Sequence, residues 1–134
     1  MLTALLAVTV ALATPQSPTV TQAQYNDFKR CHGEIFGHYR AGVIVFAGDD
    51  PGVANVEAAS KPMDDALIMM DREFARSGLG LDLQAGYAAY QSGVQRWDSF
   101  PNRSNARQQW VAGDPMSPHC RQAIGQIAAF LDAR

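Results

Sequence analysis

The chain has few lysines, no long run of charge of one sign, and only two cysteines. Of its 11 basic residues only Lys29 and Lys61 are lysines, and the formal net charge is −2. The arginines are spread along the chain among acidic residues, which is typical of a solvated surface. A protein that binds a nucleic-acid backbone is expected to present a basic face. We therefore expect no nucleic-acid partner.

Familiar catalytic and cofactor motifs are missing as well. The sequence contains no Gly-x-Ser-x-Gly, no phosphate-binding loop and no Gly-x-Gly-x-x-Gly, which are the marks of nucleophile elbows and nucleotide sites. It also has no Cys-x-x-Cys-His, so covalently attached c-type haem is excluded. The sequence predicts no cofactor and names no catalytic residue.

What the chain does have is an apolar N-terminal segment. Residues 1–13 carry no charge and end in Ala11-Leu12-Ala13, followed by Thr, Pro and Ser. This pattern is typical of a signal peptide cleaved after residue 13, although no basic residue precedes the apolar run. A buried N-terminal helix is the alternative. The run is shorter than the roughly 20 residues that span a bilayer, so we predict a periplasmic or secreted protein without a membrane span.

Residues 14–22 are predicted to be an extended linker, and residues 23–134 a single helical domain. Apolar residues recur at three- and four-residue steps between strong turn signals, which predicts an all-α bundle of four helices, or five if residues 104–111 form one. Pro62 is expected to kink or divide the second helix. The third helix is expected to bury a stripe made of Leu83, Tyr87, Tyr90, Val94 and Trp97.

Two of the predicted helices contain glycines spaced by four or seven residues. Gly33 and Gly37 lie in the first, and Gly86 and Gly93 in the third. Glycine inside a helix costs about 1 kcal/mol relative to alanine. Close approach of the two helices is the simplest explanation for glycine at these positions. A groove for a ligand or partner is the alternative.

Cys31 and Cys120 lie on the apolar stripes of the first and last helices. In an exported protein, two inward-facing cysteines predict one disulfide. Because His32 and His119 adjoin them, a zinc site is the alternative. Neighbouring positions on a helix point about 100° apart, so four converging ligands are geometrically poor, and we favour the disulfide.

Glu34 and His38 are four residues apart and share a helix face. This spacing suits a metal-binding or acid–base pair. The same spacing joins Arg30 to Glu34, so a surface ion-pair ladder is the simpler interpretation. Haem held by a histidine and a methionine is a further alternative, but methionines on a helix usually fill a core.

The connection over residues 98–117 is the strongest candidate for a partner-binding segment. It contains Phe100, Arg103, Arg107 and Trp110, residue types that are enriched at binding hot spots. The alternative is that the two aromatic rings fold under the bundle as a small separate core.

The leading functional hypothesis is an exported, non-enzymatic module that binds or inhibits a protein of the envelope or the extracellular space. A helical domain with one early and one late cysteine resembles, in outline, small periplasmic immunity and stress proteins. The second hypothesis is a carrier of a small ligand, metal or haem that uses the interior of the bundle, with Glu34, His38 or methionines as contacts.

Overall fold

The computed structural model describes residues 19–134, and this part of the chain is helical without strands. The predicted all-α class is therefore confirmed, with the short fifth helix present. The predicted signal peptide, and residues 14–18 of the predicted linker, lie outside the described residues. Within residues 19–134, no helix combines the length and the apolar character needed to cross a bilayer. The helices are α1 (Gln22–Val45), α2 (Asp50–Arg76), α3 (Leu83–Gln95), α4 (Ala106–Ala112) and α5 (Pro118–Asp132), with a 3-10 turn at Phe100–Asn102.

Side-chain caps fix where several helices begin. Thr21 accepts a hydrogen bond from the Gln24 backbone N–H, and the Gln24 side chain accepts one from the Thr21 N–H. Asp82 caps α3, and Ser117 caps α5 immediately before Pro118. Each cap satisfies backbone donors that have no partner within the helix, typically worth about 1 kcal/mol. Thr, Asp and Ser at these positions are typical helix-start signals in a sequence.

Pro62 neither divides nor ends α2, which runs unbroken from Asp50 to Arg76. Proline removes one backbone hydrogen bond and crowds the carbonyl of the preceding turn. Here the proline side chain is exposed, and buried residues on the opposite side, among them Val56, Leu67 and Phe74, anchor the helix on both sides of it. Tertiary packing therefore holds one continuous helix, and the predicted division at Pro62 is wrong.

The central element of the fold is α1, which contacts α2, α3, α4 and α5. Its closest neighbour is α3, and the four glycines named above, Gly33, Gly37, Gly86 and Gly93, lie in this contact. A Cβ atom on Gly33 would overlap the backbone carbonyl of Tyr90, and one on Gly93 would overlap the carbonyl of Arg30. A Cβ on Gly37 would lie 2.9 Å from the Val94 carbonyl oxygen. The predicted close approach of the two helices is confirmed.

Two apolar clusters form the core. The larger one joins α1, α2 and α5 through Phe28, Leu67, Phe74 and Ile127. Beside it, the buried Cys31 and Cys120 form the predicted disulfide between α1 and α5, with Cα atoms 5.4 Å apart. The smaller cluster lies at the other end of the bundle and is built from Ala41, Val56, Phe100 and Trp110.

Candidate binding groove between α1 and α3

The predicted inward stripe of α3 is wrong at its N-terminal half. Leu83 and Tyr87 are exposed, and the buried positions of the helix are Gly86 and Gly93. Because α1 approaches α3 so closely, only residues without a side chain fit at the contact. The larger side chains of α3 are consequently turned to the edge of the interface. This displaced stripe forms one wall of a surface groove.

Three adjoining clefts make up this groove, which we call the α1–α3 groove. The first has a volume of about 280 Å³, the second about 460 Å³ and the third about 540 Å³. The first two share Arg40 and Asp98, and the second and third share Ile44 and Pro101. Because neighbouring clefts share lining residues, they adjoin one another along the surface. The groove thus runs from the middle of α3, along the outer edge of α1, to α4.

One end of the groove is aromatic. The ring centroids of Phe36 and Tyr90 lie 6.2 Å apart, and those of Tyr90 and Tyr87 lie 6.3 Å apart. The planes of neighbouring rings are inclined by only 29° and 16°. Phe36 and Tyr90 are half-buried and Tyr87 is exposed. These three rings, which we call the aromatic row, therefore adjoin one another with roughly parallel planes.

Charged side chains line the middle and the far end. Arg40 of α1 forms an ion pair with Asp98 across the groove, at 2.5 Å. At the far end, Arg107 donates a hydrogen bond to the Val45 carbonyl and lies 3.4 Å from an Asp49 carboxylate oxygen. All four charged side chains are substantially exposed. Exposed pairs of this kind are worth about 0–1 kcal/mol, so a partner can replace them at little cost.

Behind the aromatic row lies a buried polar pair. His32 Nε2 is 2.8 Å from Asp64 Oδ1, and the imidazole meets the Tyr90 ring edge-on at 5.1 Å. Burial lowers the pKa of His32, although the Asp64 hydrogen bond opposes this shift. Burial, together with the charge of Asp64, raises the pKa of Tyr90 to about 12. The Tyr90 hydroxyl therefore keeps its proton at neutral pH and remains a hydrogen-bond donor.

The four residues that we predicted as partner contacts in the 98–117 connection lie in two different environments. Phe100 and Trp110 are buried in the smaller core cluster, with 4% and 8% of their surface exposed, and the Trp110 indole N–H donates to the His38 carbonyl. They are therefore not available to a partner. This agrees with the alternative interpretation, in which the two rings fold under the bundle. Arg103 and Arg107 remain exposed, and of these two only Arg107 lines the groove. Sequence reasoning missed Phe36, Arg40, Tyr87 and Asp98 as groove residues.

Glu34 and His38 are both buried on one side of α1. The predicted ladder from Arg30 to Glu34 is wrong, because Arg30 pairs with Asp27 and Glu34 lies 3.2 Å from Arg96 of α3. His38 is stacked on Trp110, with ring centroids 4.4 Å apart. Neither ring nitrogen of His38 has a hydrogen-bond partner among the described residues.

The described residues contain no group of three or more His, Cys, Asp or Glu side chains arranged to hold a metal ion. The zinc alternative at the cysteines does not fit the structure. Cys31 and Cys120 are bonded to each other, His32 contacts Asp64, and His119 lies at the surface near Asp27 and Arg30. The two histidines thus contact different residues.

Comparison with known proteins adds no relative: no protein-family model, no curated protein sequence and no solved structure matches this chain.

Proposed function

We propose that this protein is an exported, non-enzymatic module that binds or inhibits another protein, and that the α1–α3 groove receives a segment of that partner. The observation that carries the proposal is that the three clefts adjoin end to end through shared lining residues. Together they form an extended groove that suits a polypeptide segment, and each cleft alone is open and shallow.

The side chains along the groove support this role. Tyr87 and Ile44 have 57% and 52% of their surface exposed, and they lie in different clefts of the same groove. Aromatic residues and arginine dominate binding hot spots, and the groove combines Tyr87 and Tyr90 with Arg40 and Arg107. Contiguous exposed apolar surface bordered by polar groups is typical of an interaction site.

Export is part of the proposal, and two features support it. The N-terminal segment has the pattern of a signal peptide, and the Cys31–Cys120 disulfide is typical of proteins in oxidising compartments. A partner is therefore expected in the envelope or outside the cell.

Site-directed photo-crosslinking tests the proposal. A benzophenone side chain placed at Tyr87 should crosslink a defined protein in the envelope fraction, and peptide mapping should assign the crosslink to one segment of that protein. The same group at Val111 provides the control, because Val111 is 71% exposed but does not line the groove. Equal crosslinking from both positions, or none from position 87, would contradict the proposal.

One observation favours the alternative of an interior carrier, namely the two ring nitrogens of His38 without a partner among the described residues. A thermal-shift panel of Zn²⁺, Cu²⁺ and haem tests it, since a ligand stabilises the folded state that binds it. A saturable rise in melting temperature that is lost in His38→Leu would favour the carrier over the protein-binding module.

A further inference from the structure

Resting on the proposed function, we propose that the third cleft of the α1–α3 groove, at the end next to α4, binds an acidic residue of the partner segment through Arg107. The partner segment is therefore expected to carry aspartate or glutamate at this end, beside an apolar residue that contacts Ile44.

The charges along the groove differ from one end to the other. The first two clefts share Arg40 and Asp98, which pair with each other, so neither sign of charge is in excess there. Among the described residues that line the third cleft, Arg107 is the only charged one. The other polar lining residues carry amides that can donate hydrogen bonds, namely Asn102, Asn105 and Gln108. A cation surrounded by N–H donors is complementary to a carboxylate.

Contacts on two sides hold the Arg107 guanidinium in place. Its Nε donates a hydrogen bond of 3.2 Å to the Val45 carbonyl, and its central carbon lies 5.1 Å from the centre of the Phe46 ring. Ordering a flexible side chain on binding costs conformational entropy. Because Arg107 is already held, less of this cost remains when a carboxylate binds.

The contact with Val45 occupies only part of this guanidinium. Nη2 has no acceptor among the described residues, and Nη1 has only the long contact of 3.4 Å with an Asp49 oxygen. The other carboxylate oxygen of Asp49 accepts from the Gly52 backbone N–H and caps α2. Because the Arg107–Asp49 pair is largely exposed, a partner can replace it at little cost. Nη1 and Nη2 can then bind a carboxylate in the bidentate arrangement that arginine favours.

Apolar side chains border Arg107 in the same cleft. Ile44 is 52% exposed, and Pro101 and Ala106 are half-buried. A free carboxylate ion leaves this apolar surface in water, whereas a side chain next to an aspartate or glutamate covers it. A nucleic acid or an acidic polysaccharide would need a row of cations, and one arginine lines this cleft. The lining therefore favours an acidic polypeptide segment.

Fluorescence anisotropy with labelled peptides tests the inference on the intact, oxidised protein. The probe, which we call the glutamate peptide, is rhodamine-labelled and alternates glutamate with alanine and leucine. Its two counterparts carry glutamine or lysine at every glutamate position. We expect the glutamate peptide to bind saturably and both counterparts to bind at least about tenfold more weakly. Absence of saturable binding, or equal binding of the glutamine counterpart, would overturn the inference.

Two competitors distinguish a peptide segment from other sources of negative charge. Acetate at the same carboxylate concentration is expected not to displace the glutamate peptide, and neither is a heparin oligosaccharide at the same molar concentration. Displacement by acetate would indicate a site for small anions, and displacement by the oligosaccharide would indicate a site for polyanions. Either result would overturn the inference.

Arg107 and Arg103 provide a matched pair of variants. Both are exposed, and each guanidinium carbon lies 5.1 Å from the centre of an aromatic ring, but only Arg107 lines the groove. Arg107→Glu should weaken binding of the glutamate peptide at least about tenfold and should bind the lysine counterpart more tightly than the native protein does. Arg103→Glu should change either affinity by less than about threefold, because solvent and salt screen a charge outside the site. Equal effects of the two variants would contradict the assignment to Arg107.

Arg107→Gln keeps the test valid if the charge reversal impairs folding. Glutamine can still donate a hydrogen bond to the Val45 carbonyl, but it carries no charge. The variant should therefore keep the native melting temperature and lose the preference for the glutamate peptide over its glutamine counterpart. A folded Arg107→Gln variant that retains this preference would overturn the inference.

The inference and the proposed function fail separately. If position 87 crosslinks a defined partner segment, and the glutamate peptide does not bind, the groove remains a protein-binding site but the acidic preference is wrong. If neither crosslinking nor peptide binding occurs at the groove, both are wrong.

Discussion

Gly93 of α3 packs directly on Gly33 of α1, so closely that a Cβ atom on Gly93 would lie 3.0 Å from the Gly33 carbonyl carbon. Because the helices meet backbone to backbone here, Tyr87 and Tyr90 cannot point into the contact. They lie at its edge, beside Phe36, and form the aromatic end of the α1–α3 groove. The glycines thus determine the shape of the candidate site as well as the packing of the bundle.

Gly33→Ala should destabilise the protein. The added methyl group would overlap the Tyr90 carbonyl, and forcing extra volume into a close-packed contact typically costs about 1–3 kcal/mol. This exceeds the gain of about 1 kcal/mol in helix propensity. Urea denaturation should therefore show a lower unfolding midpoint for the variant.

Gly125→Ala is the matched control for this substitution. Gly125 lies inside α5, and a Cβ atom there would meet nothing within 4 Å. Only the propensity gain applies, so the free energy of unfolding should rise by about 0.5–1 kcal/mol. Similar effects of the two substitutions would show that α1 and α3 do not approach as described.

Removal of the disulfide should lower stability strongly. Cys31 and Cys120 are separated by 89 positions, so the bond closes a loop of nearly the whole domain. In the chain-entropy model such a crosslink is worth about 4–5 kcal/mol. Comparing urea denaturation of the native protein with that of a Cys31→Ala/Cys120→Ala double variant measures this. An unchanged midpoint would show that the two cysteines are not joined in solution.

Acidification should destabilise the protein. Burial lowers the pKa of His32 and of His38 below the usual value of about 6.5. As the pH falls below 6.5, the unfolded chain takes up protons that the folded protein does not, and the free energy of unfolding decreases. The slope is at most about 1.4 kcal/mol per pH unit for each histidine. Above about pH 7 both histidines are largely neutral in the folded and the unfolded protein. These two groups should therefore cause no further change in the free energy of unfolding.

His38→Leu should reduce this pH slope. Replacing the imidazole breaks no hydrogen bond among the described residues, because neither ring nitrogen has a partner there. We therefore expect little loss of stability at pH 7. Urea denaturation between pH 8 and pH 5 provides the measurement, and His119→Gln serves as a control at an exposed histidine. If the slope of His38→Leu equals that of the native protein, the buried imidazole is not the source of the pH dependence.

Much of the fold was predictable because its signals are local. Thr21, Asp82 and Ser117 cap their helices by contacts within three residues, and such patterns are visible in the sequence. The pairing of Cys31 with Cys120 followed from helical phase and from the presence of only two cysteines. The continuity of α2 through Pro62 was not predictable, because it depends on packing on both sides of that residue.

The candidate site was predictable only in part. Arg107 was identified from its residue type, but the orientation of Phe100 and Trp110 depends on the space left beneath α4. Tyr87 was assigned to the core because it lies on an apolar stripe. The sequence did show the glycines of α3, yet only the three-dimensional contact reveals that they, and not the aromatic stripe, face α1.

The most direct test of the α1–α3 groove is the dissociation constant of the crosslinked partner, measured by calorimetry for Ile44→Glu and Val111→Glu. Both substitutions place a carboxylate at an exposed apolar position, but only Ile44 lines the groove, where it belongs to two of the clefts. The account predicts that Ile44→Glu weakens binding at least about tenfold and that Val111→Glu leaves it within about twofold. Equal dissociation constants for the two variants would contradict the assignment of this groove as the binding surface.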